Sequence, residues 1–321
     1  MDDKRHYDWS EIAFSNKKPL KALRATFVVA PLDISPARLT EIIKQYLAHS
    51  NLIIGISKES HVVGYEDQLK FKMLNIEATM ELVEKVKKRG TKNQLYSLSY
   101  SQSDLVHIIE AIKPTKLAVM NGSYKYAFHY SQAFYAANKC KVTIEHISPF
   151  IDENEAMVWV SNTNQPDPTI DSDELDDRQL MQLAHEAAKQ SYDYCLQVGA
   201  VLAEKSKLGY IPLASSFNKV VPEQWWSLHY GSAREKYYAP AQDINHHDTI
   251  HAEMKLMIDA ATNKLSLRGT TLFLSLLPCP ACARVLSETQ IDELVYEKDY
   301  ADGYAVKLFE LAGKKVRRVV L

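Results

Sequence analysis

His251-Ala252-Glu253 stands at the head of an apolar-periodic segment, residues 252–261, and Pro278-Cys279-Pro280-Ala281-Cys282 begins 25 residues after Glu253, directly behind the strand-like run TLFLSLL (residues 271–277). Two cysteines three apart at the first turn of a helix project their thiols from one face toward a single ion. His251 adds a neutral nitrogen, so three protein ligands leave one tetrahedral position open, the layout of a catalytic rather than a structural zinc site. Helix starts also favour the thiolate form that metals require. A water in the open position would be brought to a pKa of about 7. Glu253, two residues past the histidine, could reach that water without coordinating, which makes it the candidate proton carrier. The same residues admit two other readings, a closed structural zinc that borrows His246 or His247 and a coincidence without metal. A C-x-x-C preceded by His-x-Glu on its own helix favours catalysis.

These residues need a scaffold. At 321 residues the chain is long enough for two domains of about 150 residues each. Hydrophobic residues make up 46% and charged residues 24%, ordinary globular usage that excludes global disorder and a coiled coil. The net charge of −2 divides unevenly, with 21 basic and 18 acidic side chains in residues 1–160 and 17 and 22 in the remainder. A half at +3 is not the basic stripe of a dedicated duplex-binding protein. The start, MDDKRHYDWSEIAF, has no basic and apolar leader, and no run of about 18 apolar residues occurs, so a cytoplasmic protein without a membrane span is expected. In that setting Cys279 and Cys282 read as metal-binding or redox residues, and Cys140 and Cys195 as plain thiols.

Residues 1–160 alternate buried-type strands with helix-period segments. Strands are predicted at 24–30, 51–56, 95–100, 117–120 and 141–147. Helices are predicted at 36–49 (Ser35 as N-cap, Pro36 at the first position), 73–89 closed by Gly90, 103–112 and 130–138. Such alternation implies crossover connections and a mostly parallel, Rossmann-like sheet. Ligands in such sheets sit beyond the carboxyl ends of strands, here residues 30–33, 55–58 and 121–126. Neither a dinucleotide nor a P-loop glycine motif is present. NGSYKYAFHY (residues 121–130) is the most suggestive stretch for a phosphate or nucleotide, although a turn with solvated aromatic and basic side chains is the simpler account of it. Residues 161–177, rich in Pro, Asn and Asp, read as the linker, followed by a helix from about Arg178.

The stretch IHAEMKLMIDAATNKLSLRGTTLFLSLLPCPACARVLSETQIDELVYEKDYAD resembles the cytidine and deoxycytidylate deaminase superfamily, most closely its dCMP deaminase branch. HAEM, PCPAC after a strand, TQIDELVY and EKDYAD carry the likeness, and H-x-E with P-C-x-x-C is the zinc-deaminase signature. Upstream, residues 198–201 (VGAV) look like the family's first strand, and Ser216-Phe217-Asn218-Lys219 sits where dCMP deaminases carry G-Y-N-G. The resemblance covers residues 178–321. It implies an α/β/α domain with a central mixed sheet, zinc held by His251, Cys279 and Cys282, and Glu253 as proton shuttle. It further implies Asn218 on the sugar hydroxyl and Tyr300 near the pyrimidine or phosphate. Lys219 replaces a glycine that in the family often belongs to a triphosphate regulatory site. A 32-residue insertion, residues 219–250, separates Asn218 from His251 and contains Trp225, Trp226, Arg234, Lys236, Tyr237, Tyr238, His246 and His247. The two histidines read as exposed loop or substrate-gate residues, with a second structural zinc as the other possibility.

The resemblance implies hydrolytic deamination of dCMP to dUMP and ammonia by a homo-oligomer. A second reading is a deaminase acting on a base in tRNA or single-stranded nucleic acid, with residues 1–160 as a docking module and the aromatic insertion stacking on bases. A third makes residues 1–160 a nucleotide sensor attached to the deaminase.

Overall fold

The computed structural model describes residues 23–88, 92–165, 168, 170 and 173–321. The chain divides into two units, Met1–Thr163 together with Trp225–Ala239, and Asn164–Gln224 together with Pro240–Leu321. Among the described residues no helix is long and apolar enough to cross a membrane.

The first unit is built on five parallel strands, β1 (Ala25–Val28), β2 (Asn51–Ser57), β3 (Leu95–Tyr100), β4 (Lys116–Met120) and β5 (Thr143–Ile147), in the order β3-β2-β1-β4-β5. This is the Rossmann-like sheet expected from the alternating pattern. The central strands are buried along almost their whole length, as continuous apolar runs such as LIIGI require when both faces are covered. The helices are α1 (Pro36–Leu47), α2 (Ile76–Lys88), α3 (Leu105–Ile112), α4 (Gln132–Lys139) and α5 (Glu153–Thr163).

Several boundaries differ from the sequence expectation. Helix α1 starts as predicted, with Ser35 Oγ accepting from the Arg38 N–H at 3.1 Å. Helix α2 begins at Ile76 and not at residue 73, because the Asn75 side chain accepts from the Glu77 N–H at 2.8 Å while Met73 pairs with Leu32. Its predicted closure at Arg89 and Gly90 lies outside the described residues. A 3-10 turn, Gln102–Asp104, occupies the predicted start of α3. Ser131 caps α4, which therefore starts two residues later than predicted. Helix α5, which the sequence reading missed, absorbs residues 161–163 of the expected linker, with Asp152 Oδ1 accepting from the Glu155 N–H at 2.9 Å near its start.

Trp225–Ala239, part of the insertion between Asn218 and His251, belongs to this first unit and carries the short helices Trp226–Tyr230 and Ala233–Lys236. It lies against NGSYKYAFHY. The Asn121 side chain donates to the Leu228 carbonyl at 2.9 Å, and the Glu235 carboxyl accepts from the Phe128 N–H and the Tyr124 hydroxyl, each at 2.6 Å. His129 and Tyr130 both reach the Ala239 carbonyl, at 2.9 and 2.8 Å. Gly122, at φ +81°, is needed here, since a Cβ would fall 2.5 Å from the buried Leu228 side chain.

The second unit opens with α6 (Asp177–Ala188), started by a capping box in which Asp176 and Gln179 bond each other's backbone N–H groups. There follow β6 (Gly199–Lys205), β7 (Tyr210–Phe217), β8 (Lys219–Val220), β9 (Thr249–Ile250), α7 (Ala252–Thr262), β10 (Thr270–Leu276), α8 (Pro280–Ser287), β11 (Glu293–Lys298), α9 (Tyr304–Leu311) and β12 (Lys315–Arg318). The five-stranded sheet runs β12-β11-β10-β6-β7, parallel from β10 to β12 and antiparallel at β6. Alternation along the strands builds two cores. Val201, Ala203 and Phe273 face Leu180, Met181 and Ala184 of α6. Ala200, Leu202, Leu272 and Leu274 face Leu256 and Ala260 of α7, Ala283 and Leu286 of α8 and Phe309 of α9. The result is the mixed α/β/α sandwich expected. At Gly199 strand and helix meet so closely that a Cβ would lie 1.7 Å from the Ala184 carbonyl oxygen.

Two outcomes are expected. Gly199→Ala should lower stability by about 1–3 kcal/mol, because the backbone of α6 must move; an unchanged urea midpoint would contradict the close approach. Residues 1–163 expressed alone lack the segment that satisfies Asn121, Tyr124 and the Phe128 N–H, and should show no cooperative thermal transition, whereas a sharp melt would make Trp225–Ala239 dispensable.

Candidate metal centre and active site

Helices α7 and α8 pack on the same face of the second sheet, and each begins with a ligand candidate. His251 is the N-cap of α7, and Cys279 the N-cap of α8, with Pro280 at its first position. Cys282 follows in the first turn, its N–H donating to Cys279 Sγ at 3.5 Å. His251 Nδ1 lies 3.5 Å from Cys279 Sγ and 3.4 Å from Cys282 Sγ. With Zn–S of about 2.3 Å and Zn–N of about 2.0–2.1 Å, the nitrogen-to-sulfur edge of a tetrahedron is about 3.6 Å, so this donor set fits zinc. Among the described residues, these three form the one group of His, Cys, Asp or Glu whose ligand atoms converge, all within 4.8 Å of one another. His246 bonds Asp243 at 3.2 Å, and neither it nor His247 joins that group.

The electrostatics suit cation binding. The hydrogen bond from Cys282 holds the Cys279 thiol down at about 4, with the His251 imidazole adding to the effect. The Cys282 thiol is pushed up by the same bond and by burial, so the two sulfurs share one proton. The bond to Cys279 raises the His251 pKa against the opposing effect of burial.

Glu253 sits in the first turn of α7 and is 4% exposed. Burial pushes its carboxyl up, and the neighbouring imidazole draws it back. Its carboxyl reaches the Cys282 thiol, which places it beside the donor set while the three ligand atoms converge without it.

Asn218 and His251 are joined by a short ribbon. Strands β8 and β9 pair antiparallel, Lys219 with Ile250 and Val220 with Thr249. Continuing that register by one residue sets Asn218 opposite His251. The Asn218 side chain is held by the loop before β6, through the Val198 N–H, the Leu196 carbonyl and Asp193. Asp193 also acts electrostatically on His251. The His247 ring lies edge-on to that of His251, with centroids 4.7 Å apart. Tyr300 is half-buried, packs on the core that carries α7 and α8, and precedes a tight turn in which Ala301, Asp302 and Gly303 all have positive φ. Sequence reasoning missed Asp193. In the structure it forms an Asx turn, its carboxyl accepting from the Cys195 and Leu196 N–H groups at 2.7 and 3.2 Å.

The three-layer fold places the His-Cys-Cys donor set at two facing helix starts, where it could hold a metal ion. Residues 175–298 match the family described as the cytidine and deoxycytidylate deaminase zinc-binding region. The match to the cytidine and deoxycytidylate deaminase superfamily covers that part of the chain. The deoxycytidylate deaminase of Enterobacteria phage T2 is 41% identical over 51 residues, 16% of this chain and 27% of that protein. The probable deoxycytidylate deaminase of Drosophila melanogaster is 32% identical over 123 residues, 36% of this chain and 56% of that protein. The chain thus spans about a quarter of the phage relative and about half of the fly one. Among solved structures, the dCMP deaminase from the cyanophage S-TIM5 in apo form shares 19% identity, covering 44% of this chain and 95% of that one, with a TM-score of 0.32.

Removing a ligand and removing the carboxylate should have different effects. Cys282→Ala protein, purified with zinc, should retain less than about a tenth of an equivalent, whereas Glu253→Gln should keep about one zinc per chain. Metal analysis checks both, and loss of zinc from Glu253→Gln would make Glu253 a ligand.

Proposed function

We propose that the chain is a zinc-dependent hydrolytic deaminase of a cytosine nucleotide, with dCMP as substrate and dUMP and ammonia as products. The observation that carries this reading is the buried Glu253 beside a three-ligand His251, Cys279 and Cys282 set. A structural zinc site takes a fourth protein ligand, whereas three leave a position for chemistry.

A zinc ion held by these residues supplies the Lewis acidity that lowers the pKa of a water molecule to about 7. Glu253 accepts a proton from the attacking water and delivers it to the pyrimidine ring nitrogen next to the amino-bearing carbon. It then takes the remaining proton of the hydroxyl now bonded to that carbon and passes it to the amino group, which departs as ammonia while the carbonyl forms. Water and cytosine are consumed, uracil and ammonia are formed, and the carboxylate is regenerated. A carboxyl pushed up by burial takes a proton from water more readily than a solvated one. Asn218, across the ribbon from His251, receives a sugar hydroxyl, and Tyr300 packs near the pyrimidine or the phosphate. The phage and fly relatives named deoxycytidylate deaminase support dCMP as the nucleotide.

Ammonia release from dCMP by zinc-loaded protein should fall by about 10²- to 10⁴-fold in Glu253→Gln. Undiminished release would remove Glu253 from the proton path. Release from deoxycytidine but not from dCMP would move the substrate class to nucleosides.

A further inference from the structure

The first unit has a hollow where its strand order reverses. From β1 the chain builds outward through β2 to β3, then returns to the far side of β1 for β4, so β1 and β4 are the neighbours at the reversal. Ligands of doubly wound sheets bind beyond the carboxyl ends of such a pair. Val29 and Ala30, directly after β1, and Ser123 and Phe128, after β4, line a cavity of about 70 Å³ there, together with Tyr100 at the end of β3. One water needs roughly 10–15 Å³, so there is room for several waters or for one small ring.

Two hydroxyl groups of the lining have protons to donate. Ser123 is 4% exposed, and its Oγ has no hydrogen-bond partner among the described residues. Tyr100, 1% exposed, spans β2 above Gly55, where a Cβ would fall 2.9 Å from its ring, and its hydroxyl accepts from the Ala30 N–H at 3.0 Å. That bond uses a lone pair of the oxygen and leaves the hydroxyl proton to be placed. The other polar side chains of the lining are spent. Gln102 donates to Ser57 Oγ and the His61 carbonyl and accepts from the Val63 N–H. The Tyr124 hydroxyl donates to Glu235, which also accepts from the Phe128 N–H and so holds that wall in place. No described lining residue is charged.

An apolar, uncharged cavity with two donors suits a ligand group that is small, uncharged and rich in acceptors, as the carbonyl-bearing ring of uracil is; a phosphate would need a cation. The cation stands next door. Lys125 directly follows Tyr124, and its Nζ lies 3.4 Å from the carbonyl of Gly64, the residue after Val63. It is thereby tied to both half-buried rim residues, Tyr124 and Gln102. We infer that this crevice is a second ligand site, which takes the carbonyl-bearing ring of a pyrimidine nucleotide in the cavity and its phosphate at Lys125. Binding there is independent of the chemistry at His251.

Calorimetric titration of the full-length, zinc-loaded chain with UMP, uridine and inorganic phosphate tests the site. UMP should bind at least about tenfold more tightly than phosphate, because the ring adds two hydrogen bonds and buried apolar contact. Ser123→Ala should weaken UMP by about tenfold, yet without ligand it should melt at or above the wild-type temperature, since no internal hydrogen bond is lost. Leu105→Trp, which fills the cavity from its half-buried edge, should reduce UMP affinity to that of phosphate. Lys125→Met should weaken UMP and leave uridine unchanged. UMP affinity undiminished in both Ser123→Ala and Leu105→Trp, as binding at the metal centre alone would give, overturns the inference, as does a wild type that binds UMP no better than phosphate. Melting of ligand-free Ser123→Ala several degrees below the wild type also overturns it, by revealing a structural partner for that hydroxyl.

Discussion

Two thiols and an imidazole stand 3.4–3.5 Å from nitrogen to sulfur at the starts of two helices, and most of the second unit can be understood as the apparatus that brings them together. Such a cluster is tolerable in a largely apolar interior only when a cation or a shared proton neutralises it. The sheet supplies one continuous apolar face on which α7 and α8 both lie, through Leu256 and Ala260 from one and Ala283 and Leu286 from the other. Placing His251 and Cys279 as N-caps directs both helix dipoles at the site and favours negative sulfur. Glu253, in the first turn of α7, is carried to the same place and buried, and that burial pushes its carboxyl pKa up.

The 32 residues between Asn218 and His251 serve two purposes. Their ends pair as a two-residue ribbon whose register sets Asn218 opposite His251. Their middle, Trp225–Ala239, completes the first unit by satisfying polar groups on the loop after β4. The aromatic residues that suggested base stacking in sequence include Trp225, which is buried there. NGSYKYAFHY, which suggested phosphate binding, has Asn121, Tyr124, His129 and Tyr130 engaged with that segment.

Both folds were legible from the sequence for a physical reason: LIIGI and TLFLSLL are buried on both faces and read as strands without ambiguity. The cluster of His251, Cys279 and Cys282, with Glu253 beside it, was legible because the donors sit at helix starts with spacings of a turn or less. Boundaries governed by local side-chain caps were not. Asn75 and Ser131 each start a helix later than apolar periodicity indicates, and α5 carries few buried residues, so its pattern is faint. Asp193 was invisible because its role depends on Asn218, 25 residues later, and a single carboxyl in a loop carries no periodic signal.

Replacing zinc with cobalt(II) reports on the donor set and the open position together. A His-Cys-Cys site with one exchangeable position predicts intense tetrahedral d–d absorption with sulfur-to-cobalt charge transfer, and a spectrum that changes when dUMP is added. Weak octahedral absorption, or a tetrahedral spectrum indifferent to saturating dUMP, would contradict a catalytic metal centre at His251, Cys279 and Cys282.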